Sequence, residues 1–471
     1  MEKLTQDYKN NVEYIDKLLR LDENFDILKK TLKVSEDELT FYFVDGFIKD
    51  TVMQKMMIYF ASLKSTGQAA KDTAERFVNE TVPYVEADVT DSVDTMITML
   101  LSGAALVLGS TFGEYAIIID ARTYPSRETG EPESDRVIRG AHDGFAETLI
   151  FNTALVRRRI RSPELTMSYM NIGKVSKTDI VVCYMADRAD PEYVKNIKNK
   201  LSNVQTDSLT MGHESLAECL IKTHWYNPFP KIRTTERPDA VAAQLEEGNV
   251  IILCDNSPEA MILPTSIFDF LQETNDYYLP PLTGTYTRLL RNVIFFLTLF
   301  MMPLWYLCIQ NPAIVPTWLE FILPVERGRL PIIVQILLVE FIIDGMRMAS
   351  MNTPNMLTNS LSVVGGLILG DFAIQIGWLI PEVILYMAFV TIANFSQASY
   401  ELGFAFKFLR ILILVLTALL GTWGFALGCA AVVLMLLTNK TVSGKRNYLY
   451  PLIPFNARAM ASLVFRLKKR N

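Results

Sequence analysis

Residues 292–309 read NVIFFLTLFMMPLWYLCI, an apolar stretch without a charged side chain. With its flanks, a helix of this length crosses the hydrocarbon core of a bilayer, which is roughly 30 Å thick. Charged residues are scattered through the chain before residue 287, whereas apolar runs dominate residues 289–437. The sequence therefore predicts an integral membrane protein in which a large soluble head precedes a polytopic α-helical membrane domain.

The head is predicted to be an α/β structure of two modules, because short β-rich runs alternate with segments of helical periodicity. The strand-like runs are residues 39–48, 105–108, 115–120, 179–184, 249–254 and 260–263, and the helical segments are 52–63, 91–101, 191–201 and 238–245. The last two strands form a predicted hairpin around Asn256, Ser257 and Pro258. This alternation predicts sheets of mixed strand direction.

These patterns divide the chain into five segments. They are an N-terminal α/β module at 1–125, a linker with a long helix at 126–176, a second α/β module at 177–285, a transmembrane domain at 286–437 and a basic cytoplasmic tail at 438–471. The long helix is predicted from Ser134 to about Arg161. Its basic end, 157–161, is interpreted as a solvated or interdomain face, since the head lacks the interleaved aromatic residues of a nucleic-acid site.

The membrane domain is predicted to cross the bilayer four times. Apolar segments at 330–350, 363–380, 383–395 and 411–437 follow the first, and the last of them is long enough to span as one tilted helix. The chain opens without the apolar core of a signal peptide, and its tail holds eight Lys or Arg and no acidic residue. Both ends are therefore expected in the cytoplasm. An even number of crossings then makes one of the five segments, within 363–395, re-entrant or interfacial.

Three charges interrupt the second apolar segment. Glu340, Asp344 and Arg347 are spaced by four and three residues, so they lie on one face of a helix. Charges at membrane depth are unfavourable unless they face protein or water. One interpretation is a structural ion pair of Arg347 with a carboxylate, or a position at the membrane surface. The other is that Glu340 and Asp344 line a hydrated cation pathway.

Further polar residues extend this candidate pathway. Asn352, Asn355 and Asn359 lie in a stretch too polar to face lipid as irregular backbone, and Asp371 follows a glycine-rich run. Short, interrupted segments of this kind place polar backbone around ion routes in membrane proteins. Close helix packing is the competing interpretation of the glycines.

Catalytic and metal chemistry find no support in the sequence. There is no phosphate-binding glycine loop, nucleophile elbow, zinc-protease motif or dinucleotide fingerprint. The five cysteines are far apart and are expected to be buried apolar side chains, and the three histidines lack metal-ligand spacing. The chain is therefore predicted to be neither an enzyme nor a cofactor-binding protein.

Three longer strings resemble a known family. They are RGAHDGFAETLIFNTALVRRRIRSPEL at 139–165, RTTERPD at 233–239 and EGNVIILCDNSPEAMILPTSIFDFLQETNDYY at 247–278. In this order they resemble the A subunits of the GerA-family spore germinant receptors, over nearly the whole chain. Residues 340–354 and 381–387 resemble a sporulation paralogue within this family more closely. Receptor A subunits tend to have an E-x-x-R-E-A-like pattern where this chain has Ile343, Asp344 and Gly345.

The resemblance implies a subunit of an oligomeric, pentameric cation channel in the spore inner membrane. Such a channel contributes to the release of monovalent cations during germination. The resemblance also implies a small membrane partner subunit, association with germinant receptor subunits, and amplification of a response that the nutrient receptors begin. The lipid bilayer and monovalent cations are the expected surroundings, and no nucleic acid is expected.

Two other function classes stay open from the residues. A secondary transporter or permease component would need a midplane substrate site and an internal repeat, which the five segments do not display. A non-conducting scaffold would use the head to recruit other germination proteins. Unsaturated cation current would indicate a channel, and saturable solute flux would indicate a transporter. Ion release that is unaltered by removal of Glu340 and Asp344 would indicate a scaffold.

Overall fold

The computed structural model describes residues 3–48, 50–63, 71–122, 140–221, 226–326, 328–352, 372–442, 444 and 447–466. The chain divides into two compact units. The head unit comprises Met1–Lys222 and Ile232–Thr265, and the helical unit comprises Thr223–Lys231 and Ser266–Asn471. The helical unit thus begins at Ser266, before the predicted boundary at 286, because Ile267 and Phe270 are buried in the same apolar cluster as Phe406.

The first module of the head unit is a five-stranded sheet covered by helices on both faces. Its strands are β1 (Ile27–Val34), β2 (Asp37–Val44), β3 (Ala87–Thr90), β4 (Ala105–Gly109) and β5 (Ala116–Ile119), and its helices are α1 (Tyr8–Leu18), α2 (Asp50–Ala61), α3 (Lys71–Arg76) and α4 (Val93–Leu101). A π-helical turn, Phe77–Thr81, follows α3. The strand order is β1-β2-β4-β5-β3.

Burial on both faces explains the apolar runs of the central strands. Every residue of β4 is buried. Leu106 and Leu108 belong to the cluster with α1 and α4, whereas Ala105 and Val107 belong to the cluster with α2 and α3. Successive side chains of a strand point to opposite faces, so a strand covered on both faces reads as a continuous apolar run.

The second module repeats the topology of the first. Its strands are β6 (Leu165–Ile172), β7 (Thr178–Met185), β8 (Arg233–Thr235), β9 (Val250–Cys254) and β10 (Ala260–Leu263), and its helices are α5 (Leu149–Arg159), α6 (Pro191–Ser202), α7 (His213–Leu220) and α8 (Pro238–Glu246). The order β6-β7-β9-β10-β8 matches that of the first sheet, position by position. The predicted hairpin of the last two strands is confirmed.

The prediction of mixed strand direction is wrong, because all the strand pairs of the described residues are antiparallel. In each module two strands joined through a helix run in the same direction, β3 with β4 and β8 with β9. A later strand, β5 or β10, lies between them. This split β-α-β arrangement makes every direct neighbour antiparallel.

Residues 134–139 of the long helix predicted over 134–161 lie outside the described residues, and in the rest of that range the helix is shorter than predicted. Residues 140–148 are irregular, and α5 begins at Leu149. The Asn152 side chain accepts a hydrogen bond from Ala146 N (2.8 Å) and donates one to Ala146 O (2.6 Å). These bonds satisfy backbone groups that a helix would otherwise pair, and Gly140 has a positive φ of 127°.

The second sheet begins at Leu165, before the predicted module boundary at 177, because β6 and β7 pair over eight residues as a hairpin. Cys183 and Cys254 are buried as expected, and burial raises the pKa of the Cys183 thiol. Cys219 is exposed, contrary to the prediction. Helix α7 buries Leu216 and Leu220, and Cys219, next to Leu220 in the sequence, lies at the exposed edge of that face.

A buried ion pair joins the two modules of the head unit. Arg157 of α5 donates to both carboxylate oxygens of Asp26, at 2.9 and 3.0 Å, and to Leu165 O at 2.8 Å. Both side chains are within 2% of complete burial. Beside them, Asn24 Oδ1 accepts a hydrogen bond from Met167 N (2.6 Å). Asp26, the residue before β1, is thereby connected to α5 and, through Arg157, to β6.

The helical unit contains five long helices and a short C-terminal one among the described residues. They are α10 (Pro281–Gln310), α11 (Ile332–Asn352), α12 (Pro381–Phe395), α13 (Tyr400–Leu420), α14 (Thr422–Thr438) and α15 (Ala457–Val464), preceded by the short α9 (Asn275–Tyr278). By length and apolar composition, α10 and α13 are candidate membrane spans, and α12 and α14 are shorter apolar helices.

The predicted single span over 411–437 is wrong. Helix α13 ends at Gly421, whose φ of 59° breaks the helix, and α14 runs back along α13. A Cβ on Gly424 would overlap Leu416 O, and one on Gly428 would lie 3.0 Å from Ile413 Cα. The chain therefore forms a tight helical hairpin here, with glycines at the contact.

Helices α11 and α12 run in the same direction. Near their starts, Gln335 Oε1 accepts a hydrogen bond from Ile380 N (2.9 Å), and near their ends Arg347 lies over the Phe395 ring. The predicted segment 363–380 connects them and is described from residue 372 onward. The number of bilayer crossings stays a prediction.

Thr223–Lys231, between α7 and β8, belongs to the helical unit. Tyr448 donates a hydrogen bond to Pro230 O (2.7 Å), and its backbone oxygen accepts one from Ile267 N (2.9 Å). The Phe229 and Tyr448 rings lie 6.2 Å apart. The helical unit therefore incorporates residues from the middle of the head sequence, which local sequence patterns do not reveal.

We expect Arg157→Met to lower the free energy of unfolding by about 3 kcal/mol, because the Asp26 carboxylate stays buried without its partner. The exposed neighbour Arg158 is the control, and Arg158→Met should change stability by less than about 0.5 kcal/mol. Urea denaturation followed by circular dichroism measures both. Equal stability of the two variants would contradict the structural role of the pair.

We expect Gly424→Ala to destabilise the α13–α14 hairpin by about 1–3 kcal/mol, because the added methyl group collides with the backbone of α13. A methyl group on Gly345 of α11 would have nothing within 4 Å, so Gly345→Ala is the matched control and should be tolerated. Thermal unfolding of the purified protein in detergent compares the two. A tolerated Gly424→Ala would argue against the close helix contact.

Candidate functional site

The charges predicted on α11 face two cations of α13. Glu340 pairs with Arg410, and Asp344 pairs with Lys407. The contacts on α11 move back from Asp344 to Glu340 as α13 advances from Lys407 to Arg410, so the two helices are antiparallel. The spacing of four residues on one helix matches three on the other, which keeps both pairs on the shared face.

The Glu340–Arg410 pair is enclosed by protein. Arg410 Nε lies 3.0 Å from Glu340 Oε1, and Nη2 donates to the same oxygen. Arg410 Nη1 donates to Thr298 O of α10 at 2.8 Å. Glu340 and Arg410 are 6% and 3% exposed. The pair therefore connects three helices, α10, α11 and α13, through groups that would be unfavourable alone in an apolar interior.

The Asp344–Lys407 pair has a different environment. The Lys407 ammonium donates to Asp344 Oδ2. The Lys407 side chain is 7% exposed, whereas the Asp344 side chain is 36% exposed. One partner is thus held in the protein interior and the other reaches its surface. A carboxylate at this boundary is accessible to a second ligand, which Glu340 is not.

Arg347 lies where α12 and α13 meet α11. Its guanidinium carbon is 4.6 Å from the ring centroid of Phe395, 5.2 Å from that of Tyr400 and 5.0 Å from that of Phe404. Aromatic faces attract cations electrostatically, so three rings around one guanidinium stabilise its charge. Glu340 and Asp344 contact Arg410 and Lys407, and the predicted pairing of Arg347 with a carboxylate stays a prediction.

The remaining predicted pathway residues are placed in part. Asn352 is the last residue of α11. Asn355, Asn359 and Asp371 lie outside the described residues. The structure therefore brings Glu340 and Asp344 together on one helix face and leaves the other predicted residues without a described contact.

Sequence reasoning missed Lys407 and Arg410. They lie three residues apart in an otherwise apolar run that begins at residue 402. The signal that could have found them is charge complementarity, because two basic residues at helical spacing in one apolar segment match two acidic residues at helical spacing in another. The last predicted apolar segment instead begins at 411, after both residues.

A second buried charge cluster lies where α10 begins. Asp276 accepts hydrogen bonds from Arg291 Nη1 (2.8 Å) and Nη2 (3.2 Å), and Arg288 Nε lies 3.4 Å from its Oδ2. Arg291 also donates to Leu271 O (3.1 Å). Asp276 is 1% exposed. These contacts fix the start of α10 to the residues before it, as a charged boundary of the apolar helix.

In the head unit, a compact group of titratable side chains surrounds His213. Its Nδ1 lies 2.6 Å from Ser257 Oγ, and its Nε2 lies 3.2 Å from Glu259 and 3.3 Å from Glu214. Burial lowers the pKa of His213, but the two carboxylates together raise it above its ordinary value. Ser257 is 3% exposed, so the group stabilises the turn after β9 and does not present a nucleophile to a substrate.

Comparison with known proteins assigns the chain to a family. The sequence family described as Bacillus/Clostridium GerA spore germination protein matches residues 13–471. The chain belongs to the GerA family. The resemblance predicted from three sequence strings is therefore confirmed, and this GerA-family chain is a spore germination protein.

Individual relatives agree with this assignment. Stage V sporulation protein AF of Bacillus subtilis is 32% identical over 465 residues, which cover 98% of this chain and 93% of the relative. Spore germination protein KA of the same organism is 26% identical over 453 residues, 94% of this chain and 81% of the relative. The first of these is the sporulation paralogue that residues 340–354 and 381–387 resemble.

Among solved structures, the N-terminal domain of the A subunit of the Bacillus megaterium spore germinant receptor GerK3 matches part of this GerA-family chain. It is 24% identical, covers 56% of this chain and 96% of that domain, and superposes with a TM-score of 0.42.

Among the described residues, no group of three or more His, Cys, Asp or Glu side chains is arranged to hold a metal ion.

We expect the stability of the protein to fall as the pH rises past the raised pKa of His213, because the imidazolium then loses its attraction to Glu259 and Glu214. This contribution is fully present below the unfolded pKa of about 6.5. His213→Gln should flatten this part of the pH profile. Thermal unfolding at a series of pH values from about 6 to about 8.5 measures it.

Thr210→Ala is the control for this experiment, because Thr210 is an exposed residue without an ionisable side chain, three positions before His213. Thr210→Ala should retain the pH profile of the wild type. Parallel profiles of the wild type and His213→Gln would show that the contacts of His213 do not couple protonation to folding.

Proposed function

We propose that this GerA-family chain is a subunit of an oligomeric, pentameric cation channel of the spore inner membrane. It contributes to the release of monovalent cations during germination and amplifies the response. The observation that carries the proposal is the position of Glu340 and Asp344. Two carboxylates lie within a group of apolar helices, and one of them is accessible at the protein surface.

The unfavourable energetics of these charges support a functional role. Ionisable residues in membrane segments are rare, and they commonly mark ion and proton pathways. In a passive channel, carboxylate and dipolar oxygens replace part of the hydration shell of the ion while it passes. Asp344 has the chemistry and the exposure for this step, and Glu340 lies one helical turn away on the same face.

The proposed arrangement in the membrane follows from the distribution of charge. The chain is multi-pass, with the head unit and the basic tail in the cytoplasm. A small membrane subunit and germinant receptor subunits are the proposed partners. The proposed role involves no covalent chemistry, so the chain is not an enzyme, and it uses neither a cofactor nor a nucleic-acid partner.

A scaffold without conduction is the second candidate function, and one observation favours it. Both carboxylates of α11 already have protein cations as partners. If the two pairs stay intact throughout germination, they connect α11 to α13 as structural braces. The chain would then act through the proteins that its head recruits, and its own carboxylates would not contact a moving ion.

Reconstitution of the full chain into liposomes, with and without its membrane partner, tests the two candidates. We expect K⁺ flux from the wild type, and we expect Asp344→Asn to reduce it by about tenfold or more, as the loss of roughly 1.4 kcal/mol of ion stabilisation would do. Glu340→Gln should also lower the flux in protein that still assembles.

Glu320 provides the matched control, because it is an exposed carboxylate of the same unit in a 3₁₀ turn outside the helices. Glu320→Gln should conduct like the wild type. Wild-type flux that neither Asp344→Asn nor Glu340→Gln alters would remove these residues from the pathway. An assembled wild type that never conducts would favour the scaffold.

A further inference from the structure

We infer that Lys407 is a tethered counter-cation, which occupies the cation position of Asp344 in the closed state and must leave it for an ion to bind. This inference rests on the proposed channel function and specifies how its site is regulated. The ammonium of Lys407 and a permeating monovalent cation carry the same charge and use the same carboxylate. They are therefore alternatives for one position.

The two ion pairs of the α11–α13 face differ in a way that assigns separate roles to them. Arg410 makes two contacts with Glu340 and a third with Thr298 O on another helix. A guanidinium fixed by a carboxylate and a carbonyl is preorganised and is displaced with difficulty. The Glu340–Arg410 pair is therefore the permanent one, and it holds α11 and α13 in register.

The Asp344–Lys407 pair is the exchangeable one. An ammonium is a compact charge on a flexible four-carbon stem, and it lacks the two-pronged geometry of a guanidinium. Asp344 reaches the protein surface with 36% of its side chain, so its carboxylate is not enclosed as that of Glu340 is, whereas its partner Lys407 is buried. Because the Asp344 end is partly exposed, this pair is held less strongly than the enclosed Glu340–Arg410 pair, which has an additional bond to Thr298 O.

The flexibility of lysine and the neighbouring cations explain how Lys407 is released. Arg410 lies one turn away on the same helix and Arg347 lies one turn away from Asp344 on α11, so three cations surround two carboxylates. The positive charge of Arg410 repels the Lys407 ammonium and so weakens its attraction to Asp344. Because the Glu340–Arg410 pair holds α11 and α13 in register, Lys407 leaves Asp344 by a change of its side-chain rotamer, and a cation then takes its place.

K⁺ flux through liposomes containing the full chain tests this inference. Lys407→Gln removes the tethered cation and leaves Asp344 free, so the basal K⁺ flux should rise by about fivefold or more, the range of a typical coupling between sites. Lys407→Arg retains the charge on a guanidinium that is displaced with more difficulty, so its K⁺ flux should not exceed that of the wild type. Lys440→Gln, which removes an exposed lysine of the same unit, should have no effect.

A double variant separates release of Asp344 from general loosening of the helices. The rise in flux should disappear in Asp344→Asn/Lys407→Gln, because no carboxylate remains for the ion. A rise that persists in the double variant would overturn the inference, and so would Lys407→Gln with wild-type flux in a channel that otherwise conducts. In both cases the proposed channel would stand.

Absence of K⁺ flux from the wild type and from every variant, in protein that elutes as an intact assembly, would instead refute the channel function. The inference would fall with it. The thermal stability of each variant is measured beside the flux. If Lys407→Gln unfolds in detergent, Lys407→Met is used in its place, because the unbranched apolar side chain of methionine fills a similar volume.

Discussion

The ion pairs between α11 and α13 are the constraint on which the rest of the helical unit depends. Apolar helices have no directional preference for one another, since lipid tails and leucine side chains are equally apolar. Charges supply the direction. Glu340 has to meet Arg410 and Asp344 has to meet Lys407, and these two requirements fix the register and the antiparallel orientation of the helices.

The head unit also contains a buried pair of an arginine and a carboxylate that joins separate elements. Arg157 and Asp26 are both buried, and Arg157 Nη1 donates to Leu165 O, as Arg410 Nη1 donates to Thr298 O. In each place a guanidinium joins a carboxylate and a backbone carbonyl of separate elements. Such pairs add little stability compared with an apolar contact, but breaking them leaves an uncompensated charge. They therefore specify which elements meet.

The sequence could predict the elements of the head because the strands and helices carry local signals. The apolar runs of β4, β7, β9 and β10 and the helical periods of α4, α6 and α8 stand out in the chain. The order of the strands could not be predicted, because pairing joins residues far apart, such as Phe41 with Val107. The repeated topology of the two modules was hidden for the same reason.

In the helical unit, local signals were weaker. The residues on both sides of Gly421 are apolar, so hydropathy alone could not separate α13 from α14. Glu340 and Asp344 are conspicuous as charges in an apolar run, but their partners follow only from knowing which helices are neighbours, and that is a tertiary property.

Helix α13 connects these observations, because each of its faces has a different partner. Phe406 contacts Phe295 of α10 at 4.4 Å between ring centroids, Lys407 and Arg410 face α11, and Ile413 lies against Gly428 of α14. A helix packed on three sides cannot move without changing all three contacts. A shift of α13 toward α14 is blocked by the close glycine contact. Movement along its own axis is opposed by the Glu340–Arg410 pair, so the flexible Lys407 side chain is the part of this interface that can leave Asp344 while α13 stays in place.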